Sequence, residues 1–359
     1  MAYALEKGVH CMQQQESVKP EEEQEKLPPS QQQELQAIAW RNGKLSTDIQ
    51  LEKLSEILPD PHALVWLDIV GDCSDCESKL CDVFKLEPII VKTMGEEHER
   101  AKFLERDDYV YLVVHGMTFD PATEEAVTPK LDIVFAKNYI ITSHRVSFEW
   151  LDKVQKEATE EDQGEHIMGR GMPFLLYNIL DALVDSYFPV LDDIDDIIDN
   201  LEDEAVKSGS NDVQVHIFHM KRSLALMRRV ISPQIEVANA LVARTGKLIP
   251  AKAEPYFADV HDHLVRAFEI LDSYRDLMSG MLDVYLTTVS NRLNVVMKQL
   301  AIIATIFMPI TFITGVFGQN FGHLPQVEHD NGYLFWIVLL GMAIITAVQI
   351  MYFKRRGWL

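Results

Sequence analysis

The chain has 359 residues, with 55 acidic against 33 basic side chains and a formal net charge of −22 at neutral pH. This length allows two or three folded units. The acidic balance argues against a nucleic-acid partner, because phosphates would be repelled, and it favours the concentration of cations near the surface.

Residues 1–34 are rich in Gln and Glu and contain too little apolar surface to fold, so we predict a disordered tail. This stretch also lacks the apolar core of a cleavable signal peptide. Residues 35–170 mix strand and helix patterns, which indicates a cytoplasmic α/β domain. We place this domain in the α+β class, because we expect its strands to pair mostly antiparallel. The predicted elements are strands at Leu35–Trp40, Ala63–Ile69 and Tyr109–Val114, a hairpin of Leu131–Phe135 with Tyr139–Thr142, and helices at Ile49–Ile57 and Cys76–Phe84.

The cysteines indicate a reducing compartment for this domain. Four cysteines, unevenly spaced, do not form a disulfide framework. Cys73 and Cys76 form a single Cys-x-x-Cys pair, which is a weak pattern for a zinc or redox site because no second pair accompanies it.

Residues 171–250 predict an antiparallel helical hairpin. Its first helix, Pro173–Val206, becomes rich in acids in its second half, and its second helix, about Asp212 to Ala243, is basic. We expect the oppositely charged faces to attract each other. The acidic run either binds cations directly or is an ordinary solvated helix face.

A long helix then enters a membrane. Gln299–Gly322 and Asn331–Phe353 carry no charged residue, and each exceeds the roughly 20 residues that cross a bilayer. Lys and Arg flank both stretches but are missing between them, so both termini are expected to be cytoplasmic and the protein to lie in the plasma (bacterial inner) membrane, with lipid as a partner. The predicted segments are a stalk helix at 251–298, transmembrane helices at 299–317 and 333–353, an extracytoplasmic loop at 318–332 and a basic tail at 354–359.

One face of the long helix is free of Leu, Ile, Val and aromatic side chains. This polar stripe repeats about every 3.5 residues, the spacing that usually marks an apolar coiled-coil seam. Because its side chains stay polar, small or thioether within the apolar span, we interpret the stripe as facing water inside an assembly, as a pore does. The stripe consists of Asp259, Asp262, Arg266, Glu269, Ser273, Asp276, Gly280, Asp283, Thr287, Ser290, Asn294, Met297, Ala301, Ala304, Met308, Thr311, Gly315 and Gly318.

The end of this helix resembles the CorA family of magnesium and cobalt transporters. The similar motifs are the run from Ala304 to Pro309, the Gly318-Gln319-Asn320 triplet that varies the family's Gly-Met-Asn, and the basic end before Trp358 and Leu359. The resemblance implies a homopentameric divalent-cation channel with a CorA-like cytoplasmic funnel, a long stalk helix and two transmembrane helices. It implies Mg²⁺, and Co²⁺, influx that cytoplasmic Mg²⁺ regulates.

The pore hypothesis assigns roles along the stripe. Mg²⁺ keeps its water and prefers oxygen ligands, so rings of oxygens would hold the hydrated ion. The selectivity filter is expected at Gly318, Gln319 and Asn320, and apolar constrictions at Met297, Leu300 and Met308. The remaining predicted pore-lining residues are Ser290, Asn294, Ala301, Ala304 and Thr311. Close helix packing is an alternative reason for the small residues, although it explains Asn294 and Thr311 poorly.

The resemblance further implies a regulatory metal site at Asp259 and Asp283, where bound Mg²⁺ would bridge subunits and hold the pore closed. The partner acid of the family corresponds to Thr93 here, so Glu96, Glu97 or Glu99 would have to replace it. No resident cofactor is expected beyond Mg²⁺ as substrate and regulatory ligand, and no nucleophile–base pair or phosphate loop suggests an enzyme.

Two alternatives remain. The substitution of Gln319 for the motif's Met leaves a Zn²⁺ transporter of the same superfamily open, with or without proton coupling. A membrane-anchored metal sensor or scaffold that conducts nothing is a hypothesis of a different class.

Overall fold

A computed structural model of the chain describes residues 34–47, 49–72, 76–160, 167–207, 211–243, 249–318 and 333–358. The predicted tail, Cys73, Gln319 and Asn320 therefore lie outside the described residues. The chain forms two compact units. One comprises residues up to Gly116 with Pro129–Leu183 and Glu236–Val260, and the other comprises Met117–Thr128, Val184–Ile235 and everything from His261 onward.

The first unit is built on a mixed sheet. Within the described residues the sheet has seven strands in the order β2-β1-β3-β9-β8-β5-β4. All its pairings are antiparallel except that of β3 with β9, which is parallel, so the expectation of mostly antiparallel pairing is met. The strands are β1 Glu34–Arg41, β2 Lys44–Ser46, β3 Ala63–Val70, β4 Lys102–Glu105, β5 Tyr109–His115, β8 Lys130–Ala136 and β9 Tyr139–His144.

Helices cover the sheet of this unit. The central strands β5 and β9 are buried along their whole length, which requires apolar cover on both faces. One core cluster includes Leu54, Leu80 and Ile90 from α1, α2 and α3, packed with sheet residues such as Val65 and Tyr111. The helices are α1 Leu51–Ile57, α2 Glu77–Phe84, α3 Pro88–Met94 and α4 Glu149–Thr159. The sequence patterns missed α3 and α4, because their short apolar faces sit between charged residues.

Two buried polar clusters within the sheet are internally satisfied. Asp132 pairs with Lys130 at 2.9 Å and accepts a 2.6 Å hydrogen bond from the Tyr111 hydroxyl. Burial nevertheless raises the pKa of Asp132 to about 6, against the opposing effect of the Lys130 charge. In the second cluster, Asp68 accepts a hydrogen bond from Thr142 and contacts His144. These groups serve the fold rather than a solvent-facing site.

The helical region differs from the predicted hairpin. Instead of one helix over Pro173–Val206, the structure has α5 Met172–Asp185 and α6 Tyr187–Lys207, separated by a turn at Ser186. The basic helix is α7 Asn211–Ala243. In the second unit α7 also holds a hairpin of β6 Thr118–Asp120 and β7 Glu125–Val127, because the Ser223 hydroxyl donates to the Glu124 carbonyl at 2.6 Å.

The basic residues of α7 make contacts that the sequence did not predict. Arg228 pairs with Asp272 of the long helix at 2.9 Å, and its guanidinium lies over the Phe268 ring. Lys221 donates to the hydroxyl of Ser279, also on the long helix. Both partners belong to the stalk and not to the acidic helix α6, because Asp272 and Ser279 of the stalk face α7.

The long helix α8 runs without interruption from Glu254 to Phe317, and α9 spans Tyr333–Arg355. At 1.5 Å per residue, the 64 residues of α8 extend about 95 Å. Three helical stretches of the described residues are apolar enough to cross a membrane, and they differ in the share of the apolar window that is buried in protein. Half of the apolar window in Met172–Lys207 is buried in protein, against 6% in Ala251–Phe317 and none in Phe335–Arg355. The last two present their apolar surface outward, as lipid-facing helices do.

Candidate functional site

The polar stripe is exposed over its whole length. Every stripe residue from Asp259 to Gly318 is open to solvent in the single chain. In the stalk this exposure is selective, because the residues of the opposite face are buried at the same heptad spacing. That buried face consists of Phe257, Val260, Leu264, Ala267, Leu271, Met278, Met281 and Tyr285. The structure therefore leaves one face of α8 unused by the protomer, and that face is the polar stripe.

The apolar residues opposite the stripe differ in how far the protomer covers them. Leu264 and Leu271 are buried and Phe268 is half-buried, but Leu286 and Leu293 are 53% and 62% exposed. After Tyr285 the protomer no longer covers this side of the helix. Exposed leucines at helical spacing require another apolar surface, from lipid or from a neighbouring subunit.

The acids of the stalk stripe face outward. Asp259 and Asp283 are both exposed, so neither carboxylate is withdrawn into the fold. Arg266, the basic residue of the stripe, lies with its guanidinium over the Phe188 ring, 5.4 Å from the centroid. The stripe thus keeps its acidic character along the stalk.

The other acidic region of the second unit lies partly against the same helix. Burial, followed by the charge and hydrogen bond of Asp195 on α6, raises the pKa of Tyr274 on α8. Asp192 and Asp199, one turn to either side, act in the same direction. Part of the acidic run in α6 therefore faces protein and is not only a solvated helix face.

In the first unit, the structure shows the contacts of Thr93 and of the three glutamates that are candidates for the missing partner acid. Thr93 is buried, and its hydroxyl donates to the Ile89 carbonyl at 2.8 Å. Glu97 pairs with Arg145, and Glu99 pairs with Lys102 at 3.0 Å. Glu96 is exposed, and no ion pair to it is formed by the part of the chain that the structure describes. Glu96 is therefore the best placed of the three to meet a cation.

At the membrane end of the stalk and within the apolar span, the predicted lining residues are again exposed. Ser290, Asn294, Ala301 and Ala304 are open in the single chain. The predicted constriction residues are exposed too, with Met297 at 63%, Leu300 at 58% and Met308 at 70%. Most of this part of α8 lacks cover in the single chain.

Thr305, Thr311 and Thr314 each donate a hydroxyl proton to a carbonyl one turn earlier in α8. For Thr311, the one of the three on the stripe, the acceptor is the Phe307 carbonyl at 2.9 Å. Since the only proton of the hydroxyl is used in this bond, the oxygen presents its remaining lone pairs outward. An oriented acceptor of this kind suits a cation and its water shell.

Of the predicted filter, the structure describes only the first residue, Gly318. The Gly318 amide donates to the Thr314 carbonyl at 2.9 Å and so caps the end of α8. A Cβ at this position would lie 3.0 Å from the same carbonyl oxygen, which favours glycine. Gln319 and Asn320 lie outside the described residues, so their assignment to the filter stays a prediction.

A contact between the two apolar helices was missed by the sequence reasoning. Pro309 has no amide proton, so the Thr305 carbonyl, four residues earlier, loses its helical partner. The Gln349 side chain of α9 donates to that carbonyl at 3.1 Å. The signal was available as a proline in one apolar helix and a lone glutamine in the other.

Comparison with known proteins gives consistent matches over almost the whole chain. A family model described as CorA-like Mg2+ transporter protein matches residues 61–355. The cobalt/magnesium transport protein CorA of Thermotoga maritima is 34% identical over 317 residues, which cover 88% of each chain. The zinc transport protein ZntB of Yersinia pseudotuberculosis is 22% identical over 296 residues, covering 82% of this chain and 88% of that protein.

A solved structure shares the fold. The complete structure of the CorA magnesium transporter from Methanocaldococcus jannaschii matches with a TM-score of 0.75 at 22% identity, covering 90% of this chain and 98% of that one. This likeness confirms the predicted fold class, an α+β domain followed by a long helix and two apolar helices.

Proposed function

Because the chain belongs to the CorA-like Mg2+ transporter family, we propose that this membrane protein is a channel for divalent cations, Mg²⁺ and also Co²⁺, into the cell. One observation carries the proposal. One stripe of α8 that the protomer leaves uncovered consists of polar, small and thioether side chains from Asp259 to Gly318, and it continues through an apolar span. Polar side chains at membrane depth need a water-filled cavity or a partner.

A single helix cannot enclose such a cavity, so the proposal requires an oligomer. We take the homopentamer that the family resemblance implies, with one α8 from each subunit around the axis. The acids of the stalk and the oxygens of Asn294 and Thr311 would then form rings. Mass measurement of the detergent-solubilised complex tests the subunit number.

Transport in this scheme leaves the ion hydrated. Mg²⁺ gives up water reluctantly, so oxygen rings that accept hydrogen bonds from its water shell guide it without stripping it. With both termini inside, as the flanking Lys and Arg indicate, a negative-inside potential contributes about 4.6 kcal/mol per 100 mV for two charges. No resident cofactor is required, since Mg²⁺ is both the substrate and the regulatory ligand.

Regulation by cytoplasmic Mg²⁺ would act through the stalk. Asp259 and Asp283 are exposed carboxylates on the stripe, and in a symmetric assembly they lie near their counterparts. Bound Mg²⁺ would bridge the subunits, whereas loss of the ion would leave like charges that repel each other. Thr93 contributes no carboxylate here, so we assign Glu96, exposed at the end of α3, as the acid that takes its place.

A zinc transporter is the second candidate, favoured by the ZntB relative and by Gln319 in the middle of the motif. Purified protein in liposomes with dyes selective for Mg²⁺, Co²⁺ or Zn²⁺ separates the candidates. We expect Mg²⁺ and Co²⁺ influx driven by a negative-inside potential. Zn²⁺ influx that follows an imposed pH gradient would favour the second candidate, and no influx of any divalent ion would leave the non-conducting sensor.

The filter is tested in the same assay by Asn320→Ala, with Asn331→Ala in the same loop as a matched control. Loss of the amide ring should abolish influx while the complex keeps its mass. Transport that persists in the Asn320→Ala protein would remove the filter from this motif.

A further inference from the structure

The last residues of the chain fold back onto the start of the first apolar span. Helix α9 ends at Arg355, and Gly357 takes the left-handed conformation, with φ of +66°. The Trp358 amide donates to the Phe353 carbonyl at 3.0 Å, and the Gly357 amide donates to the Lys354 carbonyl at 3.2 Å. These two bonds form a Schellman cap, whose usual apolar contact is supplied by Trp358 stacked on Phe353.

This cap holds a lysine of α8. The Lys298 ammonium donates to the Gly357 carbonyl at 3.3 Å and lies over the Trp358 ring, 5.4 Å from its centroid. A ring face and a carbonyl oxygen both attract a cation, and together they fix the direction of a long, flexible side chain. Phe353 is buried beneath the cap, so the ring that receives Lys298 rests on a packed base.

The direction of the Lys298 side chain matters because of where the residue lies on α8. Lys298 follows Met297, a residue of the polar stripe, and successive helix residues are rotated by roughly 100°. The lysine therefore sits at the edge of the pore-facing side, where the helix enters the membrane. A side chain of this length can turn toward the axis or away from it, and an ammonium near the axis would repel a divalent cation.

Resting on the proposed transport function, we propose that Trp358 is a positioning residue that holds the Lys298 ammonium away from the conduction path. The C-terminal cap then has a role in conduction as well as in ending α9. When the ring is lost, Lys298 is released and its charge, repeated in every subunit, opposes the passage of divalent cations.

The test compares Mg²⁺ influx into liposomes for four variants of the full chain. Trp358→Ala should lower influx roughly threefold or more, because the ammonium is freed. Trp358→Phe keeps a ring face and should stay near the wild-type rate. Lys298→Gln should also stay near wild type, and Trp358→Ala combined with Lys298→Gln should recover the influx lost in Trp358→Ala.

Recovery in the double variant is the decisive result, since a purely structural role for Trp358 would not be repaired by removing the charge of Lys298. The inference is overturned if Trp358→Ala conducts like wild type, or if the double variant stays as slow as Trp358→Ala. Should Trp358→Ala fail to assemble, Gly357→Ala displaces the cap with the tryptophan retained, and the same recovery by Lys298→Gln is required. Wild-type protein that conducts nothing would refute the proposed function instead, so the two failures are distinguishable.

Discussion

Replacing Gln349 by leucine should destabilise the membrane domain, because the Thr305 carbonyl would lose its hydrogen-bond donor. The Gln349 side chain donates to the Thr305 carbonyl at 3.1 Å, and Pro309 denies that carbonyl its helical partner. Interhelical hydrogen bonds in membrane proteins contribute about 0.6 kcal/mol on average and up to about 1.7 kcal/mol. Gln349→Leu should therefore shift the unfolding equilibrium roughly three- to sixteen-fold, measured by SDS titration in mixed micelles with circular dichroism.

The cause is tested by repeating the substitution in a Pro309→Ala background. Alanine restores an amide proton that donates to the Thr305 carbonyl, so Gln349 is no longer needed there. Thr346→Val is the matched control, because the Thr346 hydroxyl bonds to the Met342 carbonyl of its own helix. If Gln349→Leu costs the same free energy with and without Pro309, the coupling between glutamine and proline does not exist.

Two further predictions concern the part of the chain that precedes the apolar spans. Asp283→Lys should raise the cytoplasmic Mg²⁺ concentration that half-inhibits influx, by roughly fivefold or more; unchanged inhibition would reject its regulatory role. Burial raises the pKa of Asp132 to about 6, so its contribution to stability is greatest below about pH 4 and is lost as the pH rises through 6. Asp132→Asn should remove that part of the pH dependence from thermal unfolding in detergent, whereas parallel curves for the two proteins would contradict the assignment.

Periodicity predicted the long elements well. The uninterrupted α8 and the apolar α9 follow from long runs with one spacing, and the strands from alternation flanked by turns. The exposed stripe could also be predicted, because a face without large apolar side chains has nothing to bury. The predicted segment boundaries remain predictions, since the two compact units of the structure divide the chain differently.

Contacts between distant residues could not be predicted. The break between α5 and α6 at Ser186 was missed although Pro189, three residues on, signals it: proline has no amide proton to bond the Asp185 carbonyl four residues earlier. The partners of Arg228 and Lys298 depend on tertiary placement. Opposite charge alone suggested the acidic helix as the partner of Arg228, and it suggested no partner for Lys298. The roles of Glu97 and Glu99 likewise became distinct only through Arg145 and Lys102.

The two faces of α8 together explain why an assembly is needed. The buried residues from Phe257 to Tyr285 and the polar stripe repeat every seven residues, and from Asp259 to Thr287 each stripe position except Asp276 lies two residues after a buried one. Two residues correspond to roughly 200° of rotation, so the faces are opposite. A straight helix drifts about 20° per heptad, or roughly 160° over the eight heptads from Asp259 to Gly318. Only a left-handed coiling of the helices keeps the stripe toward one axis, and we infer that the assembled stalks coil in that sense.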